Sequence, residues 1–179
     1  MKFTPTPLAG AAVVDLTVLP DERGYFARAW LHEDARDAGY PGDWVLTSLS
    51  YNKRAGTLRG MHMQLPPHSE EKLVRCIRGA IFDVIVDLRR DSATFRKWFG
   101  VELSAENHRA LYIPKGFAHG FQTLTDDAEV FYQLSAHYAP PAGRGVRFDD
   151  PAFGIAWPRP PTVMNDRDRT YPDFTGELK

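Results

Sequence analysis

Residues 71–88 read Glu71-Lys-Leu-Val-Arg-Cys-Ile-Arg-Gly-Ala-Ile-Phe-Asp-Val-Ile-Val-Asp-Leu88. β-Branched and long apolar side chains crowd both halves and Gly79 interrupts them, so the stretch reads as two strands joined by a turn. Working outward, short strands are expected at Val45–Tyr51, Lys97–Leu103, Ala110–Ile113, Gly120–Leu124 and Glu129–Ala136. Gly, Pro, Asn and Asp clusters such as Pro114-Lys-Gly and Thr125-Asp-Asp separate them. A few short helices are expected, and the clearest candidate, Glu33–Ala38, stops before Gly39. Many short strands at even spacing predict an all-β sandwich or barrel over an α/β fold. From Pro140 onward the chain is rich in Pro, Gly and Asp, with Phe153, Ile155 and Trp157 placed to anchor it to the barrel.

Bulk properties exclude several function classes. With 179 residues, 43% hydrophobic and 25% charged, the chain matches one ordinary globular domain spanning 1–179. A formal net charge of -1 supplies no basic footprint for nucleic acid. The apolar runs are short and carry aspartates, so no bilayer span is expected. Residues 1–14, MKFTPTPLAGAAVV, lack a secretory apolar core. Cys76 is the only cysteine, which excludes an internal disulfide and fits a cytoplasmic location.

Strand alternation suggests what lines the interior. Lys72, Val74 and Cys76 share one face, as do Val130, Tyr132 and Leu134. If those faces point inward, an ammonium and a phenol sit in an otherwise apolar cavity, where a lysine needs a partner or a purpose. Pattern alone leaves a solvated Lys72 equally open. Of the six histidines, His32, His68, His108 and His137 lie in polar, turn-like surroundings and read as surface residues. His62 and His119 each close a glycine-punctuated motif, Gly56-Thr-Leu-Arg-Gly-Met-His-Met-Gln and Pro114-Lys-Gly-Phe-Ala-His-Gly-Phe.

Together these motifs resemble the paired signatures of the cupin superfamily, which implies a double-stranded β-helix, or jelly-roll barrel. Where metal-binding cupins carry a second histidine, this chain has Gln64. His62, His119 and Glu70 or Glu71 would still make a two-histidine, one-carboxylate set. A metal-free His62 acting as a general base is the preferred reading, with no cofactor.

The resemblance extends further. The His62 and His119 motifs, Lys72-Leu-Val-Arg-Cys-Ile-Arg-Gly, Phe82-Asp-Val-Ile-Val-Asp-Leu-Arg, Glu129-Val-Phe-Tyr-Gln and Asp150-Pro-Ala-Phe-Gly-Ile-Ala-Trp-Pro are similar to the dTDP-4-dehydrorhamnose 3,5-epimerase family. So are Asp21-Glu-Arg-Gly-Tyr-Phe and Asn165-Asp-Arg-Asp, so the likeness runs in order from about residue 10 to 173. It implies an isomerase that inverts C3, C5 or both of a nucleoside-diphosphate-linked 4-keto-6-deoxy sugar. The matching positions imply His62 as base, Asp168 as its carboxylate partner, Lys72 at the enolate oxygen and Tyr132 as the acid on the far face. Arg23, Phe26, Arg59, His119 and Tyr138 are implied as substrate-binding residues. A homodimer with shared sites is implied too, because Arg23 and Phe26 match a segment that reaches a partner's site. Thr47, Leu49, Tyr51 and Arg28 depart from the family pattern, chiefly where the base is read. The competing readings are a metal-dependent cupin oxygenase or isomerase and a sugar-nucleotide binding module without turnover.

Overall fold

A computed structural model describes residues 1–178. Its strands are β1 (Lys2–Pro5), β2 (Ala12–Asp15), β3 (Val18–Asp21), β4 (Gly24–Ala27), β5 (Leu46–Asn52), β6 (Leu58–Gln64), β7 (Lys72–Arg78), β8 (Ala80–Asp87), β9 (Trp98–Ser104), β10 (Ala110–Ile113), β11 (Phe117–Thr123), β12 (Ala128–Leu134) and β13 (Gly143–Gly145). Two short helices, α1 (His32–Asp37) and α2 (Asp166–Arg169), and one 3-10 turn (Pro140–Ala142) complete the regular structure of the described residues. The strands form a six-stranded sheet in the order β1-β2-β10-β7-β12-β5 and a five-stranded sheet in the order β13-β6-β11-β8-β9. A β3–β4 hairpin stands apart as a two-stranded sheet. All paired strands are antiparallel, and consecutive strands such as β7 and β8 belong to opposite sheets. This is the cupin-type jelly roll.

Three apolar layers explain why β8 reads as a nearly continuous apolar run. Between the sheets, Val74, Cys76 and Val130 meet Ile81, Ile85, Leu103 and Phe121. Outside the six-stranded sheet, Val14, Leu73 and Tyr112 are covered by Phe3, Trp30, Tyr40 and Trp44. Outside the five-stranded sheet, Met61, Val84, Val86 and Ala118 are covered by Phe153 with Ile155 and Trp157, the expected anchors. A strand covered on both faces has no polar face to alternate with. The inward set on β7 and β12 includes Val74, Cys76, Val130 and Tyr132. Lys72 shares that face and is 8% exposed, so the ammonium and the phenol do enter the barrel.

Most expected strands lie within a few residues of the observed ones. β11 begins at Phe117 rather than Gly120, because Gly116 (φ +86) completes the preceding turn early. β6 escaped the strand pattern because glycine and histidine break its apolar rhythm. Yet Gly60 is what lets β6 sit where it does. At φ +127, a Cβ there would stand 2.5 Å from the Gly120 Cα and 2.9 Å from the His119 carbonyl oxygen. Both obstacles are backbone on β11, which cannot rotate away. Among the described residues no helix is long and apolar enough to cross a membrane.

Gly60→Ala is expected to force β6 and β11 apart and cost about 2–4 kcal/mol, combining overpacking with a strained φ. Thermal unfolding checks this, with a drop of roughly 5–15 °C for a chain of this size.

Candidate active site

The site forms where the two sheets open and the C-terminal segment crosses β6. Thr162 donates its N–H to the Gly56 carbonyl and Leu58 donates to the Val163 carbonyl, so this segment runs along the start of β6. It then turns into α2, where the Asn165 side chain caps the helix by accepting from the Asp168 N–H at 2.7 Å. The cap aims a fully buried Asp168 carboxylate back at the sheet. Asp168 Oδ2 accepts from the Gly60 N–H at 3.0 Å, and Oδ1 lies 2.7 Å from His62 Nε2.

An ionised carboxylate only accepts, so the proton of this pair belongs on Nε2 and the lone pair of the ring on Nδ1. Burial pushes the Asp168 carboxyl upward, but the His62 hydrogen bond and charge, the Gly60 N–H and the Arg167 guanidinium outweigh it and hold the group below its ordinary value. His62 moves downward from 6.5. Burial is the main cause, offset by Asp168 and reinforced by the charges of Lys72 and Arg167. The ring remains 34% exposed, towards a cleft through which protons can exchange. Because the folded value lies below the unfolded one, folding excludes a proton here. This histidine therefore withdraws stability as pH falls from 6.5 towards its folded value, and the loss levels off below that.

The opposite wall comes from the other sheet. Lys72 on β7 donates to the His62 carbonyl oxygen at 3.1 Å and lies 3.1 Å from Glu70 Oε1. Tyr132 on β12 lines the same cavity, about 250 Å³, together with Arg59, His62, His119, Asn165, Arg167 and Asp168. A second cavity of about 190 Å³ shares His62, Lys72, Leu134 and Arg167 with the first and adds Gln64, Glu70, Tyr138, Arg144 and Tyr171. The two make one cleft, with an imidazole on one sheet and an ammonium and a phenol on the other. His119 Nε2 lies 2.8 Å from Asp83 Oδ1, a carboxylate buried between the sheets, and Arg59 Nε donates to Asn52 Oδ1 at 2.7 Å.

The structure thus brings together His62, Asp168, Lys72, Tyr132, Arg59, His119 and Tyr138. It does not bring Arg23 or Phe26 to the same cleft. Arg23 lies in the turn between β3 and β4, paired with Asp21, and Phe26 is 58% exposed on β4. The register of β5 also corrects the sequence reading of the base-reading strand. Inward-facing Tyr132 and Val130 pair with Ser48 and Ser50, so the inward set is Ser48, Ser50 and Asn52. Thr47, Leu49 and Tyr51 point outward and are exposed. The polar surface expected to be lost is present one residue along.

Arg167, Tyr171 and Asp83 escaped the sequence reading. Arg167 Nη2 lies 3.2 Å from His62 Nε2, and the Tyr171 ring stands edge-on to His62. Asp83 left a trace as a charge within an apolar run. Among the described residues no group of three His, Cys, Asp or Glu is placed to hold a metal ion. His62 and His119 each face a separate aspartate, and the Glu70 carboxylate faces Lys72.

Comparison with known proteins agrees with this geometry. The family model for dTDP-4-dehydrorhamnose 3,5-epimerase matches residues 5–176. A dTDP-4-dehydrorhamnose 3,5-epimerase from Sinorhizobium fredii is 41% identical, over 97% of this chain and 90% of its own. The crystal structure of the Bacillus anthracis enzyme, with TDP and pyrophosphate bound, superposes with a TM-score of 0.94 at 39% identity, covering 97% of this chain and 99% of that one. A 3'-monoepimerase from Streptomyces bikiniensis in complex with dTDP-quinovose gives 0.86 at 36% identity, covering 94% and 86%.

The His62 imidazole is expected to titrate below 6.5 by NMR. In Asp168→Asn it should titrate lower still, because the hydrogen bond and charge that raise it are gone. An upward shift in that variant contradicts the pairing.

Proposed function

The chain belongs to the dTDP-4-dehydrorhamnose 3,5-epimerase family, and from that premise we infer how its cleft works. The protein is an isomerase of deoxysugar biosynthesis that epimerises a dTDP-linked 4-keto-6-deoxy sugar. The observation that carries the assignment of roles is the placing of His62 and Tyr132 on opposite sheets of one cleft.

Both C3 and C5 lie α to the C4 ketone. His62 Nδ1 takes the proton from one of these carbons, and the electron pair moves into the C4–O4 group as an enolate. Asp168 supports the imidazolium and keeps the tautomer that leaves Nδ1 free. Lys72, itself buried at the cleft wall, donates to the enolate oxygen, where such a contact is worth more than in bulk water. Tyr132 returns a proton to the same carbon from the other face, which inverts it, and the phenolate and imidazolium then re-equilibrate with solvent. Arg59 and His119 lie on the diphosphate side, and Tyr138, 62% exposed at the rim, stacks on the base.

Arg23 and Phe26 fit the same scheme as residues lent to a partner. They sit on a hairpin that also exposes Leu19 and Tyr25, an apolar surface suited to burial against a second copy in a homodimer. We take the chain as one cupin-type domain over 1–179 working in the cytoplasm, which its single free thiol, Cys76, fits. A metal-dependent cupin reaction finds less support, because His62, His119 and Glu70 each already face another side chain.

Incubation with dTDP-4-keto-6-deoxyglucose in heavy water tests the reading. Deuterium is expected at C3 and C5, and His62→Ala should lower the rate about 10²–10⁴-fold. Deuterium at one carbon alone, with that centre inverted, makes the chain a mono-epimerase with the same machinery. No incorporation by the folded wild-type protein overturns the reading.

A further inference from the structure

Glu70 has no part in the chemistry above, yet it sits inside the cleft with its side chain only 5% exposed. Its two oxygens have different fates. Oε1 lies 3.1 Å from Lys72 Nζ, whereas Oε2 is buried without a hydrogen-bond partner among the described residues. A buried carboxylate oxygen left without a donor is costly, and a ligand that supplies the donor recovers the cost. Arg144, which also lines this cavity, has a buried Nε donor without a partner.

Lysine has three N–H bonds. One goes to the His62 carbonyl oxygen and one to Glu70 Oε1, which leaves a single N–H whose direction the other two determine. The pair therefore has one donor and one acceptor uncommitted, the remaining Lys72 N–H and Glu70 Oε2, on two side chains that line the cavity. An α-hydroxy ketone presents the complementary pair on adjacent carbons, a carbonyl oxygen and a hydroxyl hydrogen. We propose that Glu70 is a specificity-determining residue, whose Oε2 accepts the hydroxyl vicinal to the keto group while its Oε1 aims Lys72 at the keto oxygen. The inference rests on the placing of the keto oxygen at Lys72. It assigns the cleft to 4-keto sugars with a free hydroxyl at C3 and predicts discrimination against 3-deoxy sugars.

The alternative is that Glu70 only neutralises a buried lysine. Deoxy substrates separate the two. Wild type, Glu70→Gln and Glu70→Ala would be compared on dTDP-4-keto-6-deoxyglucose and on its 3-deoxy and 2-deoxy counterparts, reading kcat/KM from deuterium exchange α to the ketone. Thermal unfolding checks that each variant is folded. Wild type should lose about 10- to 100-fold on the 3-deoxy substrate, the range for a hydrogen bond to a charged group, and under about 3-fold on the 2-deoxy substrate. In Glu70→Ala the 3-deoxy penalty should shrink to about 3-fold or less, and in Glu70→Gln it should be intermediate. Should Glu70→Ala fail to fold, the isosteric Gln variant decides alone. An equal 3-deoxy penalty in wild type and variants, or a larger penalty for the 2-deoxy substrate, overturns the proposal. Lys72→Met distinguishes the levels of failure. If it turns over the parent sugar like wild type, the keto oxygen is misplaced and the proposal falls with it. If Lys72 is required but the Glu70 variants keep the penalty, only the role of Glu70 is wrong.

Discussion

The buried Asp168 carboxylate is the constraint on which the rest of the site depends. It is fully shielded from solvent, and such a charge persists only where donors surround it. The Gly60 N–H and His62 Nε2 supply two, and Arg167 adds a nearby guanidinium. One group thus ties the C-terminal segment to β6, selects the histidine tautomer and keeps the ring's other nitrogen free. The glycine contact is structural as well as electrostatic. Only a residue without Cβ lets β6 approach β11 closely enough for its N–H to stand where Asp168 needs it.

The second constraint is the jelly roll itself. Because β5, β6, β7 and β8 alternate between the sheets, residues close in sequence end up on facing walls. His62 and Lys72 are ten residues apart, yet the first belongs to the five-stranded sheet and the second to the six-stranded one. Their link, Lys72 Nζ to the His62 carbonyl oxygen, fixes the separation of the walls at the catalytic end. An epimerisation needs a base and an acid on opposite faces of a ring, and a two-walled cleft supplies that geometry without further apparatus.

Much of this was legible in the chain. The Gly79 turn, the shared faces of Lys72 with Val74 and of Tyr132 with Val130, and the anchors Phe153, Ile155 and Trp157 follow from alternation and turn chemistry, which are local; that those faces point inward is set by the packing of the two sheets. Asp168 was not legible that way. It lies in a short polar tail and gained meaning only through family likeness, because its partners stand more than a hundred positions upstream. Arg167 and Asp83 were missed for the same reason, since each acts through a contact across the fold. At β5 the reading slipped by one residue. A period of two makes such a slip exchange the faces, so exposed Leu49 stood in for inward Ser48 and Ser50.

The central claim is that the two walls divide the labour, His62 taking the proton and Tyr132 returning one from the other side. Stereochemistry in Tyr132→Phe tests it most directly. His62 faces a solvent-accessible cleft, so in heavy water this variant should still exchange the α-hydrogens for deuterium, returning each to the face it left. Deuterated sugar of unchanged configuration is the predicted result. Inverted product formed at the wild-type rate would contradict the account, because some other group would then be protonating the far face.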